Sequence, residues 1–248
     1  MGSEVLFDGA TSEDIERMLG LPRVELFAST TSTLDVAHRL AGEGAPAGTL
    51  IIADEQTAGR GRGGKSWASA PGAGLWLTLV ERPADTSGLD VLSLRVGLAA
   101  ARALDRFAAE PIRLKWPNDL FIDHGKLAGI LVEARWRESS LEWVAIGLGV
   151  NILAPEGVPG SAWLEPDTNR IDVLADVVPG VRAALAETGP LRKDEIEEFA
   201  ARDMARGRKC VTPALGRVAG ISETGELLVA LADSLVRFRS GSLVLERE

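Results

Sequence analysis

The feature that most constrains the fold is a glycine-rich, basic loop placed between two strand patterns. The loop reads QTAGRGRGGKSW from Gln56 to Trp67, after the apolar run GTLIIADEQ and before GLWLTLVE. Its glycines match G-x-G-x-x-G and, loosely, G-x-x-x-x-G-K-S. Dinucleotide-binding and P-loop folds both require a helix directly after such a loop. The strand pattern that follows here argues against both of those folds.

Two interpretations of the loop stay open on this stretch alone. Glycines leave the backbone loose, and its ordering entropy predicts a mobile segment when no ligand is present. Arg60, Arg62 and the backbone N–H groups suit a flap that closes on an anion and keeps water from a labile intermediate. The alternative is a solvated surface loop with incidental arginines.

Composition narrows the chemistry of the chain. Its 248 residues carry a formal net charge of −9, which disfavours wholesale binding to nucleic-acid phosphates. Cys210 is the single cysteine, so an internal disulfide is excluded and a reducing compartment is favoured. His38 and His124 lie far apart, and no zinc site of histidine and cysteine is expected. We find no signal-peptide or membrane-span pattern and expect a cytoplasmic protein.

The periodicity predicts alternating helices and strands, followed by a change of pattern. The stretches 11–20, 32–44 and 89–108 have helical spacing, and apolar strand patterns lie between them. Beyond about Arg206 the chain shows short alternating strands with glycine turns and a hairpin tip at Glu223–Gly225. We expect a small β-module there, packed on the main domain.

A second group of polar residues follows a short apolar strand in RLKWPNDLF. Pro117 biases the residue before it towards an extended shape, so Lys115 stands at a strand end. A lysine held over a phosphoryl group stabilises the charge that develops during displacement. Asn118 and Asp119 offer oxygen atoms for hydrogen bonds or for Mg²⁺, with Asp119 a possible metal ligand. An ordinary turn with a snorkelling lysine is the alternative.

Four motifs, in this order and at these separations, resemble those of biotin protein ligases. They are EQTAGRGRGGKSW, KWPNDL, GKLAGILVE and IGLGVN. The resemblance implies an α+β fold: a class II aminoacyl-tRNA-synthetase-like mixed sheet with flanking helices in residues 1–206, and an SH3-like β-barrel in residues 207–248. It also implies a reaction in which biotin and MgATP give biotinyl-5′-AMP. The biotinyl group then passes to a lysine of a biotin carboxyl carrier domain.

The resemblance also implies roles for individual residues. Lys115 is implied as the main catalytic group, contacting the biotin carboxyl and the α-phosphate, with Arg62 as a second catalytic residue in the flap. The implied biotin-binding residues are Ser32, Thr33, Leu34, Gln56, Arg60, Gly61, Arg62, Lys115 and Gly129. The implied ATP-binding residues are Trp67, Asn118, Lys126 and Asn151. Helix capping by Ser32, a core role for Trp67 and a turn role for Asn151 stay open as structural alternatives.

The chain departs from the family pattern at two positions, and the segment before Ser32 is short. Leu34 stands where relatives have asparagine, and Glu246 lies near the place where some relatives have an arginine close to ATP. About 30 residues precede Ser32, too few for a DNA-binding winged helix, so we expect no DNA partner. The oligomer is expected to be a monomer or a homodimer. A lipoate or octanoyl ligase of the same superfold, and a non-catalytic anion- or RNA-binding module, are the rival functions.

Overall fold

Two sheets and five helices make up the part of the chain that the structure, a computed structural model, describes: residues 5–246. The helices are α1 Ser12–Leu19, α2 Thr33–Gly42, α3 Leu92–Leu104, α4 Arg170–Ala186 and α5 Lys193–Arg202. The strands of the first sheet are β1 Arg23–Thr30, β2 Thr49–Gln56, β3 Gly74–Glu81, β4 Arg113–Lys115, β5 Asp119–Ile122, β6 Gly125–Arg137 and β7 Ser140–Asn151. Those of the second are β8 Lys209–Thr212, β9 Gly216–Ile221, β10 Leu227–Ala230, β11 Leu235–Phe238 and β12 Val244–Leu245.

The first sheet is mixed, as predicted. Its strand order is β1-β2-β3-β7-β6-β5-β4, with β1 parallel to β2 and the remaining pairs antiparallel. The long β6–β7 hairpin therefore occupies the middle of the sheet beside β3. This placement brings the GILVE and IGLGVN motifs side by side, because Gly129 pairs with Gly149 across the two strands.

Helices cover both faces of this sheet, and the alternation of strand side chains explains why. On β2, Leu50 and Ile52 point into the main core with α1, α3, α4 and α5, whereas Ile51 points the other way. A second, smaller cluster forms there between α2 and the opposite face. Since successive strand residues alternate between faces, strands buried on both sides read as continuous apolar runs. The site described below lies on the α2 face.

Local capping signals mark the helix ends that the sequence predicts. Thr11 forms a capping box with Asp14 at the start of α1, and Gly20 ends that helix with φ +62°. Ser32 caps α2 by accepting a hydrogen bond from Leu34 N. Helix α3 is shorter than its pattern predicts, because single 3₁₀ turns replace α-helix at both of its ends.

The C-terminal strands form a separate antiparallel sheet, but it does not close. The strand order is β11-β10-β9-β8-β12, and within residues 5–246 no pairing joins β11 to β12. The predicted SH3-like barrel is therefore wrong in that respect, since a closed barrel requires its end strands to pair. The hairpin tip at Glu223–Gly225 is confirmed, with Gly225 at φ +77°. A domain boundary at residues 206–207 stays a prediction.

Hydrogen bonds from the main domain hold the tip of that hairpin. Trp116, which is buried, donates from its indole Nε1 to Gly225 O at 2.9 Å. Leu191 N donates to Glu223 O at 2.7 Å. The C-terminal sheet thus contacts the strand end that carries Lys115. In addition, none of the helices formed by residues 5–246 combines the length and apolar character that crossing a membrane requires.

Trp116→Phe tests this connection. We expect the free energy of unfolding to fall by about 1–3 kcal/mol, because the change leaves the buried Gly225 carbonyl without its donor. Urea denaturation followed by circular dichroism measures the change. Trp163→Phe is the matched control, since Trp163 is 48% exposed, and it should change stability by less than about 0.5 kcal/mol. Equal losses in the two variants would contradict the connection.

Candidate functional site

Three glycines on one face of neighbouring strands form the floor of the site. Gly129 on β6 and Gly147 and Gly149 on β7 all lie on the α2 face, where Ala145 belongs to the α2 cluster. Register pairs Gly129 with Gly149, and Leu131 with Gly147. Because these positions lack side chains, the sheet there is bare backbone that another group can approach closely.

Trp67 packs against part of this floor. A Cβ added at Gly149 would lie 2.6 Å from Trp67 Nε1, and one added at Gly129 would lie 3.0 Å from Trp67 Cζ3. The ring also meets Trp76 edge-on, with 6.4 Å between ring centroids. Its Nε1 is the one buried side-chain nitrogen or oxygen atom without a hydrogen-bond partner within residues 5–246. Such a donor costs about 1–3 kcal/mol until an acceptor reaches it.

Beside this ring is a cavity whose space, together with its opening to solvent, is about 460 Å³. Part of its wall is polar. Gln56 Oε1 accepts hydrogen bonds from Thr33 N at 2.8 Å and from Thr33 Oγ1 at 3.1 Å, and Thr78 Oγ1 donates to Thr33 Oγ1 at 2.9 Å. Gln56 Nε2 donates to Ser69 Oγ at 2.8 Å. This network orients hydroxyl and amide groups on the cavity wall before any ligand arrives.

The rest of the cavity wall combines apolar side chains with two cations. The apolar part consists of Leu34, Leu77, Ile130, Leu131 and Leu148. Lys126 and Arg60 also line the cavity. A compound with a polar head, a short apolar middle and an anionic end therefore has a complementary group at each of its parts.

The glycine-rich loop folds back on itself above the cavity. We call residues 57–69 the flap. Its two arms are joined by hydrogen bonds from Trp67 N to Gly59 O at 2.8 Å and from Gly61 N to Lys65 O at 2.7 Å. A 3₁₀ turn at Arg62–Gly64 forms the tip, where Gly63 and Gly64 have positive φ values of 64° and 74°. These two positions need glycine, because left-handed backbone is strained for other residues.

The lysines of the two downstream motifs lie close together but occupy different places. Of the described residues, the cavity wall includes Lys126 but not Lys115. Lys126 Nζ lies 2.7 Å from Asp119 Oδ1 and 5.0 Å from the centroid of the Trp67 ring. Burial lowers the pKa of Lys115; Asp119 opposes this shift, while the charges of Lys126, Lys65 and Arg208 add to it. A group of cations thus concentrates positive potential in an acidic chain.

The two asparagines assigned to ATP make structural hydrogen bonds. Asn118 donates to Ile130 O at 2.6 Å and accepts from Arg62 Nη1 of the flap at 3.4 Å. Asn151, which is buried, donates from its amide nitrogen to Lys126 O at 3.2 Å and to Ala162 O at 3.0 Å. Both residues position neighbours of the cavity, and their contact with a nucleotide stays a prediction.

Two positions that the sequence left open, Asp119 and Glu246, each pair with a lysine. Within residues 5–246 no three His, Cys, Asp or Glu side chains group together as metal ligands. The possible metal ligand Asp119 is paired with Lys126 instead. Glu246 pairs with Lys209 at 3.5 Å. Leu34, where relatives have asparagine, is buried in the cavity wall and contributes apolar surface.

Most of the predicted site residues come together at this cavity. Its wall contains Ser32, Thr33, Leu34, Gln56, Arg60, Gly61, Trp67, Lys126 and Gly129. Of the predicted residues, Arg62, Lys115, Asn118 and Asn151 lie outside the wall as the structure describes it. Sequence reasoning did not single out Thr78, Gly147 or Gly149. The two glycines had a signal, since their spacing of two residues places both on one face of a strand.

The sequence matches a family model and several proteins of known name. The sequence model of the biotin/lipoate A/B protein ligase family matches residues 26–151, about half of the chain. The bifunctional ligase/repressor BirA of Bacillus subtilis is 40% identical over 123 residues, which cover 49% of this chain and 38% of that protein. A biotin--[acetyl-CoA-carboxylase] ligase of Mycobacterium tuberculosis is 37% identical over 166 residues, covering 61% of this chain and 60% of that one. The matches therefore span less than two thirds of these relatives' lengths.

A solved structure extends the likeness to almost the whole fold. The biotin protein ligase of Aquifex aeolicus, solved in complex with biotin and ATP, superposes with a TM-score of 0.76 at 27% identity. The match covers 92% of this chain and all of that one. The likeness thus includes the C-terminal sheet as well as the mixed sheet, and it confirms the predicted fold class apart from barrel closure.

Gly149→Ala tests the packing of Trp67 on the floor. The added Cβ would lie too close to the indole, so we expect the free energy of unfolding to fall by about 1–3 kcal/mol in urea denaturation. Gly147→Ala is the matched control, because its nearest contact would be an ordinary 3.4 Å to Leu131 O. Its stability should change by less than about 0.5 kcal/mol. If Trp67→Ala did not relieve the loss caused by Gly149→Ala, the assigned packing would be wrong.

Proposed function

We propose a function from the premise that the chain belongs to the biotin/lipoate A/B protein ligase family. The protein is a biotin–protein ligase, which activates biotin with ATP to biotinyl-5′-AMP and transfers the biotinyl group to a lysine of a biotin carboxyl carrier domain. The names of the relatives and the biotin and ATP bound in the Aquifex aeolicus structure support this proposal. We place the reaction in the cytoplasm.

The observation that carries the proposal is the set of groups that share one cavity wall. Thr33, Gln56 and Thr78, which are joined by hydrogen bonds, supply hydroxyl and amide groups, leucines supply apolar surface, and Lys126 and Arg60 supply cations. Biotin has parts of the same three kinds: a ureido ring that donates and accepts hydrogen bonds, an apolar chain and a carboxylate. Each part then meets a group of matching chemistry.

In the first step, a biotin carboxylate oxygen forms a bond to the α-phosphorus of ATP. The bond from that phosphorus to the bridging oxygen of the β-phosphate breaks, and pyrophosphate leaves. No protein nucleophile is needed, which agrees with a chain that has one cysteine and two histidines. The protein contributes alignment and positive charge. We assign Lys126, which lines the cavity, to the carboxylate, and Lys115, which lies outside the cavity wall, to the phosphate side.

In the second step, the ε-amine of the acceptor lysine attacks the acyl carbon of biotinyl-5′-AMP. The bond from that carbon to the phosphate oxygen breaks, AMP leaves, and the new amide nitrogen loses a proton to solvent. Until the acceptor arrives, the flap limits hydrolysis by covering the mixed anhydride. Magnesium enters this scheme only with ATP as its substrate complex, because Asp119 is a single carboxylate already paired with Lys126.

The rival functions fit the cavity less well. A lipoyl or octanoyl group ends in a dithiolane or a methyl group and offers no hydrogen-bond donor to Thr33, Gln56 and Thr78. A site that exchanges hydrogen bonds with a polar head group discriminates strongly against an analogue that lacks it. A non-catalytic RNA-binding module would use an open basic surface, whereas here Arg60 is already paired with carboxylates. A labelling experiment with biotin, lipoate and octanoate distinguishes both rivals from the proposed function.

The proposed activity is tested with the purified protein, a biotin carboxyl carrier domain, biotin and MgATP. We expect a mass increase of one biotinyl group on the carrier domain and pyrophosphate release that requires biotin, because both steps are assigned to this chain. Intact-mass spectrometry and a pyrophosphate assay measure them. Labelling with lipoate or octanoate but not biotin would support the first rival. Salt-sensitive RNA binding without any labelling would support the second.

Replacing each lysine with methionine separates their roles. We expect Lys126→Met to weaken biotin binding at least tenfold, because the lysine lines the cavity, and to slow adenylate formation as well. Lys115→Met should leave the Kd for biotin within about threefold but slow adenylate formation by about 10²-fold or more, as loss of one charge-stabilising group typically does. Calorimetry and single-turnover assays measure the two effects.

The control for charge is Lys115→Arg. The pKa of Lys115 lies below its usual value of 10.5. As the pH rises, Lys115 should therefore lose its proton before pH 10.5 is reached, and the wild-type adenylation rate should fall there. Arginine keeps its proton there, so the variant should lose that decline. An identical alkaline decline in both proteins would exclude Lys115 as its source.

A further inference from the structure

One cation of the flap is held by two carboxylates from different parts of the fold. Arg60 Nη1 donates to Asp35 Oδ1 at 2.8 Å, and Arg60 Nη2 donates to Glu133 Oε1 at 2.6 Å. Asp35 lies in the first turn of α2, and Glu133 lies on β6. The two carboxylates therefore hold Arg60 from a helix and from the sheet that the flap covers.

A directional chain of hydrogen bonds orients one of these carboxylates. His38 Nε2 lies 2.8 Å from Glu133 Oε2, and Trp143 Nε1 lies 2.9 Å from His38 Nδ1. An indole nitrogen can only donate, so His38 Nδ1 accepts and Nε2 carries the proton donated to Glu133. Both Glu133 oxygens thus have fixed partners, with Trp143 buried at the base of the chain.

The proposed reaction uses neither carboxylate, yet both act on a residue of the cavity wall. Arg60 and Gly61 line the cavity, and the backbone of Arg60 bridges to Ser66 on the opposite arm of the flap. Because Arg60 pairs with Ser66, fixing the Arg60 side chain also restrains the two arms of the flap. A glycine-rich segment loses much conformational entropy on ordering, and ion pairs made within the protein offset part of that loss before a ligand binds.

We infer that Asp35 and Glu133 are positioning residues that hold Arg60, and with it the flap, across the cavity mouth, and that His38 and Trp143 fix Glu133 for this task. This rests on the proposed function for what the flap retains, which is biotin and then biotinyl-5′-AMP. The consequence is a flap closed in advance by the chain's own groups. Loss of the carboxylates then speeds release of the bound intermediate without removing any group that touches the reacting atoms.

The size of the effect follows from the exposure of the pairs. The side chains of Arg60, Asp35 and Glu133 are 38%, 51% and 31% exposed. A single exposed ion pair shifts an equilibrium by about 1.5- to 5-fold. Removing both pairs should therefore shift flap opening by about 2- to 20-fold, since effects of groups sharing one partner need not multiply fully.

Hydrogen exchange tests the closed flap without biotin or ATP. We expect amides of residues 57–69 to exchange about 2- to 20-fold faster in the Asp35→Asn/Glu133→Gln protein than in the wild type. Glu142→Gln is the matched control: it breaks an ion pair with Arg137 at 2.7 Å on the same sheet and should leave these amides unchanged. Asp35→Glu alone keeps the negative charge at this position and should keep the wild-type protection of these amides. Equal exchange in the wild type and the double variant would overturn the inference.

Release of biotinyl-5′-AMP from the same proteins tests the link to function. We expect the double variant to release it about 2- to 20-fold faster, and both Asp35→Glu and Glu142→Gln to release it at about the wild-type rate. Faster exchange without faster release would overturn the retaining role of the carboxylates. If the wild type formed no adenylate, the proposed function would fail, whereas the exchange result would still decide whether the carboxylates hold the flap.

Discussion

The bare backbone at Gly129, Gly147 and Gly149 is the constraint on which the site depends. These residues lie on one face of two paired central strands, where side chains would otherwise fill the space beneath α2. Their absence lets Trp67 lie against the sheet and leaves a cavity beside it. Flap residues, the hydroxyl and amide groups of Thr33, Gln56 and Thr78, and Lys126 all line that space. A ligand can thus lie directly on the sheet, with the rigid strands fixing its position.

Charge is distributed to match this arrangement. The chain as a whole is strongly acidic, yet the charges of Lys126, Lys65 and Arg208 all act on the Lys115 ammonium. Acidic partners place some of these cations: Asp119 pairs with Lys126, and Asp35 and Glu133 pair with Arg60. A chain with few nucleophiles and a local excess of fixed positive charge suits reactions in which anions are aligned and neutralised.

Local signals in the sequence predicted local structure well. The caps at Thr11 and Ser32, the hairpin tip at Glu223–Gly225 and the strand after the glycine-rich loop follow from rules that act over a few residues. The motifs also predicted most of the cavity wall. The resemblance assigned the central role to Lys115, whereas the register of β5 and β6 brings Lys126 to the wall. Such a choice depends on strand pairing, which sequence periodicity does not specify.

Long-range features could not be predicted from the sequence. The ion pair of Arg60 with Glu133 joins residues 73 positions apart, and no local pattern marks such partners. Closure of the C-terminal barrel depends on whether two end strands meet, and here they do not. The sequence places Gly147 and Gly149 in a strand, but the face of the sheet on which they lie depends on the pairing of β7 with β3 and β6.

We propose that the cavity recognises a hydrogen-bonding head group on an apolar chain. Calorimetric titration of the purified protein with biotin and, side by side, with lipoate tests this most directly. We expect biotin to bind at least 100-fold more tightly, because the dithiolane ring of lipoate offers no hydrogen-bond donor to Thr33 and Gln56 on the cavity wall. Equal affinities, or tighter binding of lipoate, would contradict it.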